Sequence, residues 1–300
     1  MSHTSDIVRE QFKASDDIRD AGLVTPACIE RFDDIVYGTD ARWQSLDVYR
    51  PKDAASTSPT APKALPVIVS VHGGGWVYGD KERYQWYCMD LATRGFVVVN
   101  FTYRLAPEHK FPASMEDTCA VFSWTLEHIA DYGGDPARIF AVGDSAGAHI
   151  LGLFCNLCTN PSYADKLGLC APQNFAPRAI ALNCGAHKIQ ISENPHDLTS
   201  ALMADFLEHG GDDEELDLID VGGHITKDFP PAFVMTCDGD FLYDQAFPLV
   251  ATLRELKVVH ELHVYGGIDE PLPHVFHCNM RSEDARRCND DEARFFARFC

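Results

Sequence analysis

The sequence predicts an α/β fold: a mostly parallel sheet of eight strands with helices on both faces. Three observations carry this. The runs at residues 65–71 and 96–101 are nearly continuous in apolar residues, as strands buried on both faces are. Such runs alternate with helix-length segments, which implies parallel crossovers. Two segments near the front, residues 28–37 and 43–49, instead alternate apolar and polar side chains, as an antiparallel pair at a mixed edge would.

Taken in order, residues 4–20 carry an apolar stripe of Ile7, Val8, Phe12 and Ile18 and read as one or two short helices. The antiparallel pair follows. Residues 53–63, rich in Ala, Ser, Thr and Pro, form a surface loop, since too little chain precedes them to fold alone. The strand at 65–71 ends in the turn His72-Gly73-Gly74-Gly75-Trp76. Then come a helix at 84–94, a buried strand at 96–101, a helix at 115–130, a strand at 138–142 and a helix at 148–157. Further strands are expected at 178–183, 233–237 and 261–265, with helices at 245–256 and 282–299. Residues 186–228 break the alternation. They hold a helical piece near 198–209, and an excursion of that size often covers a site.

The chain has 300 residues, enough for one large α/β domain, and the expectation is a single domain over 1–300. A hydrophobic content of 46% supports a sizeable core. The formal net charge of −20 argues against nucleic acid and anionic membranes as partners. Asp212-Asp213-Glu214-Glu215 reads as a solvated loop or helix start, not a metal site. The 11 cysteines are odd in number and scattered, and Cys119, Cys155, Cys184 and Cys237 lie in apolar runs, which fits reduced, buried thiols. Cys155 and Cys158 form a C-x-x-C late in a helix, not at the helix start that redox pairs use. No signal peptide is visible at the charged N-terminus, and no run approaches the ~20 apolar residues of a spanning helix. A soluble, cytoplasmic protein is expected. The last strand and helix could pair two copies into a homodimer.

The chemistry centres on Gly143-Asp144-Ser145-Ala146-Gly147, a G-x-S-x-G between a strand and a helix. Such a turn strains the serine backbone and exposes its hydroxyl, at a helix N-terminus that favours negative charge. A serine hydroxyl needs a base, a group to hold that base, and donors for the oxyanion. The glycine N–H groups after His72 can turn toward a substrate oxygen, and the N–H of Ala146 adds a donor from the helix start. A phosphate-binding P-loop would need G-K-[S/T] after the glycines, which is absent.

For this turn, the acid and then the base follow the serine, each on a loop after a strand. The strand at 233–237 leads into Asp238, Asp240 and Asp244, of which Asp244 suits a helix cap. The strand at 261–265 leads into a proline-bearing loop that delivers His274 or His277.

Together, His72-Gly73-Gly74-Gly75-Trp76, residues 103–109, the serine turn, Asp240-Phe241-Leu242-Tyr243-Asp244 and His274-Val275-Phe276 resemble the hormone-sensitive-lipase-like esterases. The resemblance spans roughly residues 65–280. It implies the α/β-hydrolase fold with a small helical cap, for which residues 1–25 and 186–228 are the candidates. It favours Asp240 and His274 as acid and base, and makes 103–112 a structural loop. Val275 departs from the family's frequent glycine, and a branched residue there stiffens the loop. The resulting expectation is a serine carboxylesterase acting on a small-molecule, short-chain acetyl-type ester. Ser145 would be the nucleophile, His274 the base and Asp240 the orienting acid. Gly73, Gly74 and Ala146 would be the oxyanion donors, with no metal or cofactor. The rivals are an amide or formamide hydrolase with the same machinery and a non-catalytic small-molecule receptor of this fold.

Overall fold

A computed structural model describes residues 2–52, 64–194, 197–267 and 270–300. The loop expected at 53–63 lies outside them. An eight-stranded sheet runs through the molecule in the order β1-β2-β4-β3-β5-β6-β7-β8. Its strands are β1 (Ile29–Val36), β2 (Ser45–Pro51), β3 (Leu65–Val71), β4 (Val97–Phe101), β5 (Gly134–Asp144), β6 (Ile180–Asn183), β7 (Ala232–Cys237) and β8 (His260–Tyr265). β2 pairs antiparallel with β1 and with β4, and every other pairing is parallel. The mixed edge and parallel centre are those expected from the sequence.

The helices are α1 (His3–Asp20), α2 (Lys81–Thr93), α3 (Ala113–His128), α4 (Ala146–Thr159), α5 (Pro161–Leu167), α6 (Leu198–Phe206), α7 (Asp213–Leu218), α8 (Ala246–Glu255) and α9 (Glu283–Ala297). Side chains on a strand point alternately to opposite faces. Val67, Val69 and Val71 therefore join Val121, Phe122, Leu151 and Phe154 of α3 and α4 in one buried layer. Ile68, Val98 and Phe140 join Tyr87, Cys88, Phe295 and Phe296 of α2 and α9 in the other. This two-sided burial explains why the central strands read as apolar runs.

Several bounds differ from the sequence expectation for local reasons. α1 is one helix. α2 begins earlier because the Asp80 carboxylate accepts the Arg83 N–H at 2.9 Å. α5 was not expected. It is a short helix with Pro161 in its first turn and Asn160 capping Tyr163 N–H. α7 starts at the acidic run, where Asp212 accepts the Glu215 N–H at 2.9 Å, so that run is a helix start. Asp244 does not cap α8; it falls in a 3-10 turn, Tyr243–Gln245, and α8 starts from Gln245 with no side-chain cap. All eleven cysteines are free, and Cys155, Cys184 and Cys237 are buried. No helix among the described residues is long and apolar enough to cross a membrane.

Candidate active site

The registers of the sheet assemble the site. β3 pairs β5 with Val71 opposite Gly143, so the glycine loop leaving β3 lies beside the turn leaving β5. β6 pairs the other side of β5 with Asn183 opposite Asp144. The Asn183 carbonyl accepts the Ser145 N–H at 2.9 Å, which pins the turn.

Ser145 itself sits at φ 52°, ψ −121°, immediately before α4. This is a strained position for a residue with a side chain, and such strain clusters at functional sites. Its hydroxyl has no hydrogen-bond partner among the described residues. Gly147 permits the sharp reversal: a Cβ there would lie 2.1 Å from the Val71 carbonyl oxygen. The strand and helix cross at a distance only glycine allows.

The glycine loop is held from three directions. His72 is fully buried, its ring stacked 4.0 Å from that of Tyr103. Burial lowers its pKa to about 4, so it is neutral. The Trp76 indole N–H donates to His149 Nδ1 at 3.1 Å, and His149 Nε2 meets the Ile219 carbonyl at 2.8 Å. The third hold is Tyr84. Its hydroxyl accepts the Gly73 N–H at 3.0 Å and donates to the buried Asp144 carboxylate at 2.7 Å. Burial raises the Asp144 carboxyl to about 6, against the lowering by Tyr84, His274, Arg19 and the Gly73 N–H.

The Gly73 N–H, expected to serve the oxyanion, donates to the Tyr84 hydroxyl in this structure. The N–H groups of Gly74 and Gly75 have no hydrogen-bond partner among the described residues. The N–H of Ala146 opens α4, where the first turn has no intrahelical acceptor. Gly74 adopts φ 118°, and a Cβ there would meet the Tyr78 carbonyl at 2.1 Å.

Beyond β6, β7 leads to Asp240 and β8 to His274. His274 Nδ1 lies 2.6 Å from Asp240 Oδ1. The same carboxylate oxygen accepts the Leu242 N–H at 2.8 Å, and the other takes a longer bond from the Thr236 hydroxyl at 3.3 Å. Burial alone would raise the Asp240 pKa, but His274, the Leu242 N–H and the Cys184 thiol together hold it below the usual carboxylate range. The neighbours are occupied elsewhere. Asp238 accepts the Leu272 N–H at 2.8 Å and so shapes the loop that carries His274. His277 is fully buried against Tyr87, and burial, then the His274 charge, lowers its pKa to about 3. Val275 sits in the left-handed region at φ 53°, the conformation that a glycine would take without strain.

Behind the serine turn, Asn183 donates to Glu292 Oε2 at 2.8 Å, and Tyr87 donates to the same carboxylate at 3.0 Å. Burial raises this carboxyl to about 7, despite both donors. The sequence singled out neither Tyr84 nor Glu292, and it treated Asp144 only as the second residue of the serine turn. The one available signal was the position of Asp144, adjacent to the nucleophile candidate.

A sequence profile described as the alpha/beta hydrolase fold matches residues 68–278. The chain belongs to this family. It is the family of hormone-sensitive-lipase-like esterases, whose blocks were recognised in the sequence. Among curated relatives, versiconal hemiacetal acetate esterase of Dothistroma septosporum is 28% identical over 230 residues, 71% of this chain and 66% of that protein. Esterase LipQ of Mycobacterium tuberculosis is 32% identical over 177 residues, 59% of this chain and 39% of that one. The match thus spans less than two thirds of either relative. Among solved structures, esterase B from Lactobacillus rhamnosis superposes with TM-score 0.87 at 23% identity, covering 98% of this chain and 93% of that one. A hyperthermophilic esterase from Pyrobaculum calidifontis gives 0.75 at 26% identity, covering 97% and 90%.

Proposed function

We propose that this α/β hydrolase is a serine carboxylesterase, with Ser145 as nucleophile, His274 as base and Asp240 as the acid that orients it. The observation that carries this is the 2.6 Å contact between His274 Nδ1 and Asp240 Oδ1, in a chain whose Ser145 is strained and glycine-flanked. That contact places the ring proton on Nδ1 and leaves Nε2 free to accept the Ser145 proton as the hydroxyl attacks an ester carbonyl. The Ser145 hydroxyl is unpartnered in the resting chain, and catalytic hydrogen bonds commonly tighten only once substrate is bound. Gly74, Gly75 and Ala146 supply the oxyanion donors. Protonated His274 then passes its proton to the leaving alcohol, and water clears the acyl-enzyme by the same route in reverse. These steps call on no metal or cofactor.

The preference for short acyl groups is also part of the proposal. Leu202 of α6 comes within 3.5 Å of where a Gly75 Cβ would stand, and Phe206 stacks on Trp76 with centroids 5.2 Å apart. In this reading these side chains, lying beside the donor loop, limit the length of acyl chain the site takes. The Dothistroma relative is named for an acetate ester. α1 and α6 form the cap in this reading: Ser5 bonds Asp205 across the two helices, and Arg9 reaches the Val77 carbonyl at 2.7 Å. Eleven free thiols favour a reducing, cytoplasmic setting. The exposed Val264 on edge strand β8 marks where two copies would pair; a monomer mass by size-exclusion chromatography with light scattering would remove that homodimer.

The test is hydrolysis of p-nitrophenyl acetate, butyrate and octanoate, with acetanilide alongside, by the wild type and Ser145→Ala. Ester turnover that falls with acyl length and vanishes in Ser145→Ala is expected. Equal rates for the two proteins sink the proposal, and faster anilide than ester turnover transfers it to amide hydrolysis.

A further inference from the structure

One side chain at the site has no role in the steps above. Cys184 follows β6 directly, at φ 47°, with its N–H donated to the Met235 carbonyl at 2.7 Å. It is 1% exposed, and its thiol lies 3.8 Å from the Met235 sulfur. Its Sγ, an Asp240 carboxylate oxygen and a ring nitrogen of His274 all lie within 4.8 Å of one another, and His274 Nδ1 is the nitrogen that meets Asp240. A thiol, a carboxylate and an imidazole nitrogen are the donor types zinc takes, at bond lengths of about 2.0–2.3 Å. A tetrahedral ion with such bonds wants its ligand atoms roughly 3.3–3.8 Å apart. An ion between them requires the Asp240–His274 contact to open from 2.6 Å.

We propose that Cys184, Asp240 and His274 form an inhibitory site for a thiophilic divalent cation of the zinc type. The inference rests on the His274–Asp240 pairing proposed above. Binding exchanges bonds as follows. The Cys184 thiol loses its proton to solvent and its sulfur bonds the ion. The His274 ring proton leaves Nδ1, which bonds the ion, and the ring retains one proton, now on Nε2. Asp240 exchanges its hydrogen bond for a metal bond. One proton is released in all. An Nε2 that carries hydrogen has no lone pair for the Ser145 proton, so the bound ion holds the histidine in the tautomer that cannot act as base. The ion stops catalysis without touching the serine or the oxyanion donors.

Cys184→Ser separates the soft ligand from the hydrogen bond, because a hydroxyl can still donate to Asp240 but binds zinc poorly. The full-length chain is titrated with Co2+ as a spectroscopic stand-in and, separately, with Zn2+. The wild type is expected to show a thiolate-to-cobalt charge-transfer band saturating at one equivalent, and Zn2+ inhibition of short-ester hydrolysis that a chelator reverses. In Cys184→Ser the band disappears, and half-inhibition, measured against the variant's own metal-free rate, moves at least tenfold higher. Absence of the band in the wild type overturns the site. So does a band or an inhibition unchanged in Cys184→Ser, or in Cys184→Ala should the serine variant not fold. A cobalt band in a chain that hydrolyses no ester leaves the metal site standing and removes the catalytic reading instead.

Discussion

Tyr84 donates its phenolic hydrogen to the buried carboxylate of Asp144 at 2.7 Å, and so ties α2 to the turn that carries Ser145. The Tyr84 phenolic oxygen in turn accepts the Gly73 N–H, which fixes the glycine loop to that turn. Tyr84→Phe removes both bonds without changing the shape of the ring. A buried acceptor left without its donor costs about 1–3 kcal/mol of stability. A roughly tenfold fall in kcat with KM within twofold is expected if the loop acts as the proposed oxyanion donor, which serves the transition state and not ground-state binding. Esterase kinetics and chemical denaturation check this; an unchanged kcat would show that the bridge does not position the donors.

Asp240→Asn keeps the packing around His274 but removes the charge that stabilises an imidazolium. It also allows the ring to take the wrong tautomer. A kcat lower by about 10⁴ with little change in KM is expected for an orienting acid. The kinetics of the purified variant decide the matter; a loss below tenfold would assign the orienting role elsewhere.

Gly74→Ala places a Cβ 2.1 Å from the Tyr78 carbonyl at φ 118°, so the donor loop must move. Loss of one oxyanion donor lowers kcat by about 10²–10³. Gly95, at φ 93° with open space around it, is the control. Gly95→Ala incurs backbone strain but leaves the loop in place, so its kcat should match the wild type. Comparable kinetic losses in the two variants would argue against Gly74 as a donor.

Glu292→Gln tests a pH dependence. The Glu292 carboxyl is raised from 4.5 to about 7, so the folded state favours its neutral form. Its stabilising contribution is complete below the unfolded value and is lost as pH rises through the folded one. Glutamine does not titrate. The stability of Glu292→Gln relative to wild type should therefore climb between pH 4.5 and 8, by up to about 3 kcal/mol. Urea denaturation of both proteins across that range measures it, and a flat difference would mean that Glu292 ionises normally.

The central sheet was legible because burial on both faces writes itself into β3 and β4 as apolar runs. The ends of elements were less so. β5 extends back through Asp135 and Pro136 because Gly134 pairs with Leu65, a tertiary contact with no local signature. α5 and α7 are short and rest on single capping side chains, Asn160 and Asp212. At the site, motif order led to Ser145 and left the acid among Asp238, Asp240 and Asp244 and the base between His274 and His277; the family resemblance favoured Asp240 and His274, which lie in contact. The choice among the glycines was different. Which N–H is spent depends on where the Tyr84 hydroxyl arrives, and that follows from the docking of α2 on the sheet.

The parallel arrangement of β3, β5, β6, β7 and β8 has a kinetic consequence. The groups proposed for the site come from chain positions 74 to 274, after the ends of β3, β5, β7 and β8. Parallel neighbours pair only after long loops have closed, which makes such sheets slow to form. A collapsed intermediate with its helices in place would still lack the assembled site. Regain of activity after dilution from denaturant is therefore a late marker of folding, trailing the recovery of far-ultraviolet ellipticity. A truncation from β8 onward removes His274, and with it the base proposed for the serine turn, however much of the remaining sheet it spares.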